Sequence, residues 1–237
     1  MIPKTIHYCW FGGKTLPSIA KKCIASWKKY CPDYKIKRWD ESNFDLSCCA
    51  YVNEAYESKK WAFITDYVRL WAMYNYGGIY MDTDVEVLKN LDPFLSNEAF
   101  SGFESVDRIP TGIMASEEGS HIIKLLLDRY NDRHFILSDG NLDLTTNVEE
   151  ITNVMIPKGL VLNGKKQTVD GFTFYPKDYF CPKDYRTKKL ELTENTYTIH
   201  HFDGSWVPES TRIKSKIVNT VGKDNWIKIK QKFHIEK

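Results

Sequence analysis

From Trp61 to Tyr76 the chain is apolar nearly all the way round a helix, and Asp66 and Arg69 are its only formal charges there. A helix that is hydrophobic on every side is a buried one. It stops at Gly77-Gly78, an apolar run Ile79–Met81 follows, and Asp82 and Asp84 come directly after. A buried helix feeding a buried strand across a glycine pair fits an α/β sheet better than a bundle or a sandwich. Asp66 and Arg69 lie at i and i+3 and share a face. Asp82 and Asp84, two apart at the end of an extended strand, aim at one point.

Two carboxylates with no histidine or thiolate close by in sequence make a hard oxygen site, suited to Mg²⁺ or Mn²⁺. Such an ion completes its shell with water and substrate phosphates, so the pattern points to an enzyme that handles a diphosphate. A calcium-hand loop beginning at Asp82 would need Gly at its sixth position and Glu at its twelfth, where the chain has Val87 and Pro93. A phosphatase with an aspartyl nucleophile would carry D-x-D on its first strand, which here ends in Trp10. Burying Asp66 and Arg69 merely as a salt bridge is costly. The pair is therefore expected to face a polar cavity shared with the carboxylate strand.

The 237 residues suffice for a full hydrophobic core, and 42% hydrophobic with 27% charged residues is the balance of an ordinary globular protein. A formal net charge of +2 is too weak a bias to name nucleic acid as a partner. The six cysteines show no C-x-x-C pair, so reduced thiols in a cytoplasmic protein are expected. Met1-Ile-Pro-Lys4 runs straight into a strand-like segment with no basic, apolar leader. No apolar run approaches the roughly 18–20 residues of a spanning helix.

Further periodicities predict strands at 5–10, 34–39, 99–104, 112–115, 168–175 and 196–201. Helices are predicted at 18–30, 50–58, 120–130 and 147–155, the last with Asn147 as N-cap. Strand, helix, strand at the start implies a right-handed crossover and a parallel sheet. Trp10, at the end of the first strand and before Gly12-Gly13, sits where open α/β sheets bind ligands. In His200-His201-Phe-Asp-Gly-Ser205-Trp206 a strand ends in two histidines, and alternation lets only one of them reach the carboxylates.

Taken together, I-P-K-x-I-H-Y-x-W at 2–10, D-Y-x-R-x-x-x-x-Y-x-x-G-G-I-Y-x-D-x-D at 66–84 and H-x-x-G-S-W at 201–206 resemble the family 32 glycosyltransferases. That family includes bacterial capsule and lipopolysaccharide sugar transferases and fungal mannosyltransferases. More distantly it includes the catalytic domains of clostridial glucosylating toxins. The resemblance implies a GT-A fold, that is, a mixed, mainly parallel sheet flanked by helices. It also implies a nucleotide-sugar donor, a UDP-sugar first, a divalent cation (Mn²⁺ or Mg²⁺), and retention of anomeric configuration. It implies that Asp82, Asp84 and His201 hold the metal and that Trp10 stacks on the donor base. Asp66 and Arg69 would bond donor sugar hydroxyls, Asp82 and Thr83 would contact ribose or sugar, and Ser205 and Trp206 would reach the diphosphate. Asn147 would face the reacting carbon, although Thr146-Asn147 departs from the T-G-P turn common at that place.

The expected organisation is a catalytic domain over 1–207 and a basic, amphipathic helical tail over 208–237 as part of the same unit. From Arg212 to Lys237 the tail carries eight Lys or Arg against two acids. Such a segment suits peripheral contact with the inner face of an anionic membrane, where a glycan or lipid-linked acceptor would be met. The reading is a retaining hexosyltransferase of bacterial surface polysaccharide synthesis. Its rivals are a nucleotide-sugar phosphohydrolase using the same carboxylates, and a non-catalytic nucleotide-sugar binding module.

Overall fold

The computed structural model describes residues 1–109 and 112–204. Met1–Phe202 forms one compact unit. Ser205, Trp206 and the tail 208–237 therefore lie outside the described residues.

The strands are β1 (Thr5–Cys9), β2 (Lys35–Trp39), β3 (Gly78–Met81), β4 (Val85–Val87), β5 (Ala99–Gly102), β6 (Ile113–Ser116), β7 (Gln167–Val169), β8 (Phe172–Tyr175) and β9 (Thr198–His200). The helices are α1 (Ser18–Tyr30), α2 (Ala50–Glu57), α3 (Trp61–Tyr76), α4 (His121–Asp128), α5 (Asn147–Met155) and α6 (Lys177–Phe180). Seven strands form one sheet in the order β2-β1-β3-β6-β5-β8-β7, and β4 pairs with β9 in a separate ribbon. β6 and β7 run against the other five strands of the large sheet. This is the mixed, mainly parallel, helix-flanked α/β architecture that the GT-A resemblance implies.

Alternation along the central strands divides the core in two. Tyr80, Ala99 and Met114 pack with α3 and α4, whereas Ile79, Met81, Phe100 and Ile113 pack with Trp27 of α1 on the other face. The bounds of α1, α3 and α5 agree with the periodicity. Three local expectations are corrected. The run 168–175 is a hairpin of two strands, β7 and β8, turning at Asp170-Gly171, where Asp170 takes a φ of 49°. α5 is capped by Thr146, whose side chain accepts from the Glu149 amide, so Asn147 is its first helical residue. Asp82 and Asp84 do not extend β3; they sit in a turn between β3 and β4, closed by the Val85 amide on the Asp82 carbonyl at 3.0 Å.

The stop of α3 sets the sheet register. Gly78 has φ of 104°, and a Cβ there would come within 2.6 Å of the Thr5 carbonyl oxygen. Only glycine lets β3 enter beside β1 at that distance. The parallel pairs Ile6 with Ile79 and His7 with Tyr80 follow directly, and they carry Asp82 to the carboxyl edge of the sheet.

Candidate metal and donor site

The site begins with β4. Its register against β9 sets Val85 opposite His200. On the other side, α1 supplies polar groups to β4: the Trp27 indole donates to the Val85 carbonyl at 2.7 Å, and Ser26 Oγ accepts from the Val87 amide at 2.9 Å. A three-residue strand is thus hydrogen-bonded on both edges, which fixes the turn that carries Asp82 and Asp84.

The two carboxylates and one histidine converge. Ligand atoms of Asp82, Asp84 and His200 all lie within 4.8 Å of one another. His200 Nε2 is 3.3 Å from Asp84 Oδ1. The expected partner, His201, is elsewhere: its Nε2 is 2.7 Å from Glu86 Oε2, and Glu86 also takes Lys22 at 2.9 Å. The register explains the correction. Glu86 faces Ile199, so His201 is its diagonal neighbour on the same face of the ribbon, within reach of a long side chain. His200 turns to the opposite face, against Gly112, where a Cβ would come within 2.8 Å of the imidazole Nδ1.

Behind the carboxylates lies the charged pair of α3. Arg69 Nη2 is 3.0 Å from Asp66 Oδ1 and 3.4 Å from Asp82 Oδ1. Its guanidinium carbon stands 4.5 Å from the Tyr80 ring centroid, and the Tyr80 hydroxyl donates to Asp82 Oδ1 at 2.9 Å. Asp82 is therefore oriented by two donors before any ligand arrives. Burial pushes the Asp66 carboxyl up to about 6, with Arg69 acting against that rise. Burial likewise raises Asp82, opposed by Arg69 and His200. For Arg69, burial disfavours the charge, but Tyr80, Asp82 and Asp66 together raise its pKa. Burial would also lower His200, yet the Asp84 charge and hydrogen bond hold it well above the usual imidazole range.

Asn147 joins this group through the backbone. It is buried, and its Nδ2 donates to the Asp66 carbonyl at 3.1 Å. Trp10 is half-buried, with its indole nitrogen donating to the Lys14 carbonyl at 2.6 Å across the Gly12-Gly13 loop. Thr83 is in the turn between the two aspartates. Sequence reading passed over His200, because alternation selects one of two adjacent histidines without saying which. It also passed over Tyr80, whose position two residues before Asp82 was a usable signal.

The donor set suits an ion. Two carboxylate oxygens and one imidazole nitrogen fit Mn²⁺ more closely than Mg²⁺, which prefers oxygen throughout. Three ligands leave coordination positions for a substrate.

Residues 17–101 match the family described as "Glycosyltransferase sugar-binding region containing DXD motif". This span contains Asp66, Arg69, Asp82 and Asp84. Among curated proteins, inositol phosphoceramide mannosyltransferase 3 of Schizosaccharomyces pombe is 34% identical over 130 residues, 50% of this chain and 34% of that protein. Inositol phosphoceramide mannosyltransferase 1 of the same organism is 27% identical over 110 residues, 42% of this chain and 33% of that protein. The chain spans about a third of the length of the curated relatives it matches. A solved glycosyltransferase involved in glycosylation of the major capsid of PBCV-1 overlays with a TM-score of 0.48 at 13% identity, over 82% of this chain and 92% of that one. The galactosyltransferase LgtC with donor and acceptor sugar analogs gives 0.44 at 14% identity, over 93% and 95%. Both scores are too low to carry weight.

Proposed function

We propose that the chain is a metal-dependent, retaining glycosyltransferase that moves a hexose from a nucleotide-diphosphate sugar to a glycan or lipid-linked acceptor. The observation that carries this reading is the convergence of Asp82, Asp84 and His200 within 4.8 Å, beside the buried Asp66–Arg69 pair; the two aspartates and the pair lie in the segment that matches a DXD sugar-binding region. His200 takes the ligand role first assigned to His201. A bound Mn²⁺ would act as a Lewis acid on the diphosphate, whose charge grows as the sugar leaves.

The chain's own residues divide the remaining work. Arg69 and Asp66 offer a paired donor and acceptor to sugar hydroxyls, and Arg69 also holds Asp82 in place. Asp82 and Thr83 are assigned to the ribose or sugar, and Trp10 to the base. Asn147 positions the α3 backbone at Asp66. Sugar departure creates an oxocarbenium-like centre. Front-face attack by the acceptor is the route we favour.

A UDP-sugar is the proposed donor, and the relatives' name adds a mannose donor to any panel. Surface polysaccharide synthesis in a bacterium, with the chain working at the inner face of the membrane, completes the proposal. No helix among the described residues is long and apolar enough to cross a membrane.

The test is donor hydrolysis across UDP- and GDP-linked sugars, with Mn²⁺ and with chelator, followed by release of free nucleoside diphosphate. Metal-dependent release from one donor, abolished in Asp84→Asn, supports the transferase. Release of sugar phosphate instead of nucleoside diphosphate would establish a phosphohydrolase. Tight donor binding without turnover, unchanged when acceptor glycans are added, would establish a binding module.

A further inference from the structure

A second set of cations stands next to the carboxylate–histidine cluster, on a hairpin that the sequence motifs do not include. The hairpin runs from Lys183 to Leu190, which pair in an antiparallel bridge. Asp184 ties its tip: Oδ1 accepts from the amides of Arg186 and Thr187 and from the Thr187 hydroxyl. The Lys188 amide donates to the Asp184 carbonyl at 2.9 Å, and the Asp184 amide to the Lys189 carbonyl at 2.8 Å. This closure puts Lys188 at φ of 59°, a left-handed conformation that L-residues seldom adopt.

The Lys188 ammonium lies over two rings, 4.6 Å from the centroid of Tyr185 and 5.4 Å from that of Phe202. Phe202, also left-handed at φ of 55°, lies against the His200 imidazole with centroids 4.1 Å apart. Tyr185 meets Phe202 edge-on at 5.3 Å. A continuous line of ring contacts therefore runs from His200 through Phe202 to Tyr185, and a cation lies over the last two. Lys183 anchors the base of the hairpin to the same strand end, its Nζ donating to the His201 carbonyl at 3.1 Å. Burial and the neighbouring Lys183 charge lower the Lys188 pKa, while Asp184, Asp84 and Glu104 pull it up, so the ammonium senses the carboxylates of the site.

Charge balance gives this cation a purpose. Asp66, Asp82, Asp84 and Glu104 outweigh Arg69 and one divalent ion by one negative charge. A nucleoside diphosphate brings further negative charge into the site, and that charge is left to other cations. An ammonium on a flexible stem suits phosphate as a point charge.

We propose that Lys188, held by Tyr185 and Phe202 beside His200, binds the diphosphate oxygens of the nucleotide-sugar donor. The proposal rests on the transferase reading above. Its test is calorimetric titration of the full chain, in Mn²⁺, with UDP and with GDP, and with uridine and guanosine as phosphate-free probes. Lys188→Gln should weaken the diphosphate that wild type prefers by about tenfold or more, the loss of one charge-assisted contact. Nucleoside binding should stay unchanged, Lys188→Arg should restore most of the affinity, and the salt dependence should flatten in Lys188→Gln. Lys189→Gln is the control for net charge, since Lys189 pairs with Glu191 at 2.6 Å and should stay near wild type. Wild-type affinity in Lys188→Gln would overturn the proposal and leave the transferase reading standing. Failure of wild type to bind either diphosphate would overturn both.

Discussion

His7 joins the first strand to the end of the buried helix: its Nε2 is 2.8 Å from the Gly77 carbonyl oxygen, and its Nδ1 is 3.2 Å from the Trp39 indole nitrogen. An indole nitrogen only donates, so Nδ1 accepts and Nε2 carries the proton. Protonation would set two N–H groups against each other. Burial, opposed by the Gly77 contact and aided by Lys37 and Lys35, lowers the His7 pKa to about 4.

The first prediction concerns pH. An unfolded histidine titrates near 6.5, so between about 6.5 and 4 the unfolded chain binds more protons at this residue. His7 therefore contributes stability that is present above 6.5 and lost as pH falls towards 4. Between pH 7 and pH 5 the loss is about 2 kcal/mol. Asp66, raised to about 6, works the other way, losing stability as pH rises through that value. Urea unfolding of wild type against His7→Gln at the two pH values separates them: the difference between the proteins should shrink at pH 5. A constant difference would contradict a neutral His7 with a lowered pKa in the folded chain.

The glycine stop should tolerate no side chain. Gly78→Ala puts a Cβ at 2.6 Å from the Thr5 carbonyl with φ of 104°. A loss of roughly 2–3 kcal/mol is expected from strain of this kind, read as a lowered urea midpoint. Gly13→Ala serves as the comparison, since its Cβ would meet nothing within 4 Å, although its φ of 65° carries some strain.

The two histidines should separate in metal binding. His200→Ala removes a nitrogen from the cluster and should weaken Mn²⁺, followed by its paramagnetic resonance, by about tenfold or more. His201→Ala removes only the clasp on Glu86, and Mn²⁺ affinity should change by less than about threefold. The opposite order would return the ligand role to His201.

Arg69 should hold the site together electrostatically. Arg69→Met leaves the buried Asp66 and the half-buried Asp82 without their cation, a change worth about 3–5 kcal/mol of stability. Adding Asp66→Asn should recover part of that loss, because one of the stranded charges is gone. Additive effects in the double variant would show that the two side chains do not interact.

Much of this protein is written locally. The helix Trp61–Tyr76, its glycine stop and the strand after it follow from periodicity and from backbone freedom, both properties of neighbours in sequence. For the same reason α1 and α5 have the bounds that the apolar spacing predicts, and Asp66, Arg69, Asp82 and Asp84 could be named together. The tertiary structure decided what depends on partners distant in sequence. β4 has three residues and no pattern of its own; it is a strand because Trp27, Ser26 and β9 bond both its edges. The opposition of Val85 to His200 then chose between adjacent histidines, since a shift of one residue in register exchanges the two faces. Lys188 reached the site through the turn at Asp184 and its place over the Phe202 ring, contacts that no spacing in the chain encodes.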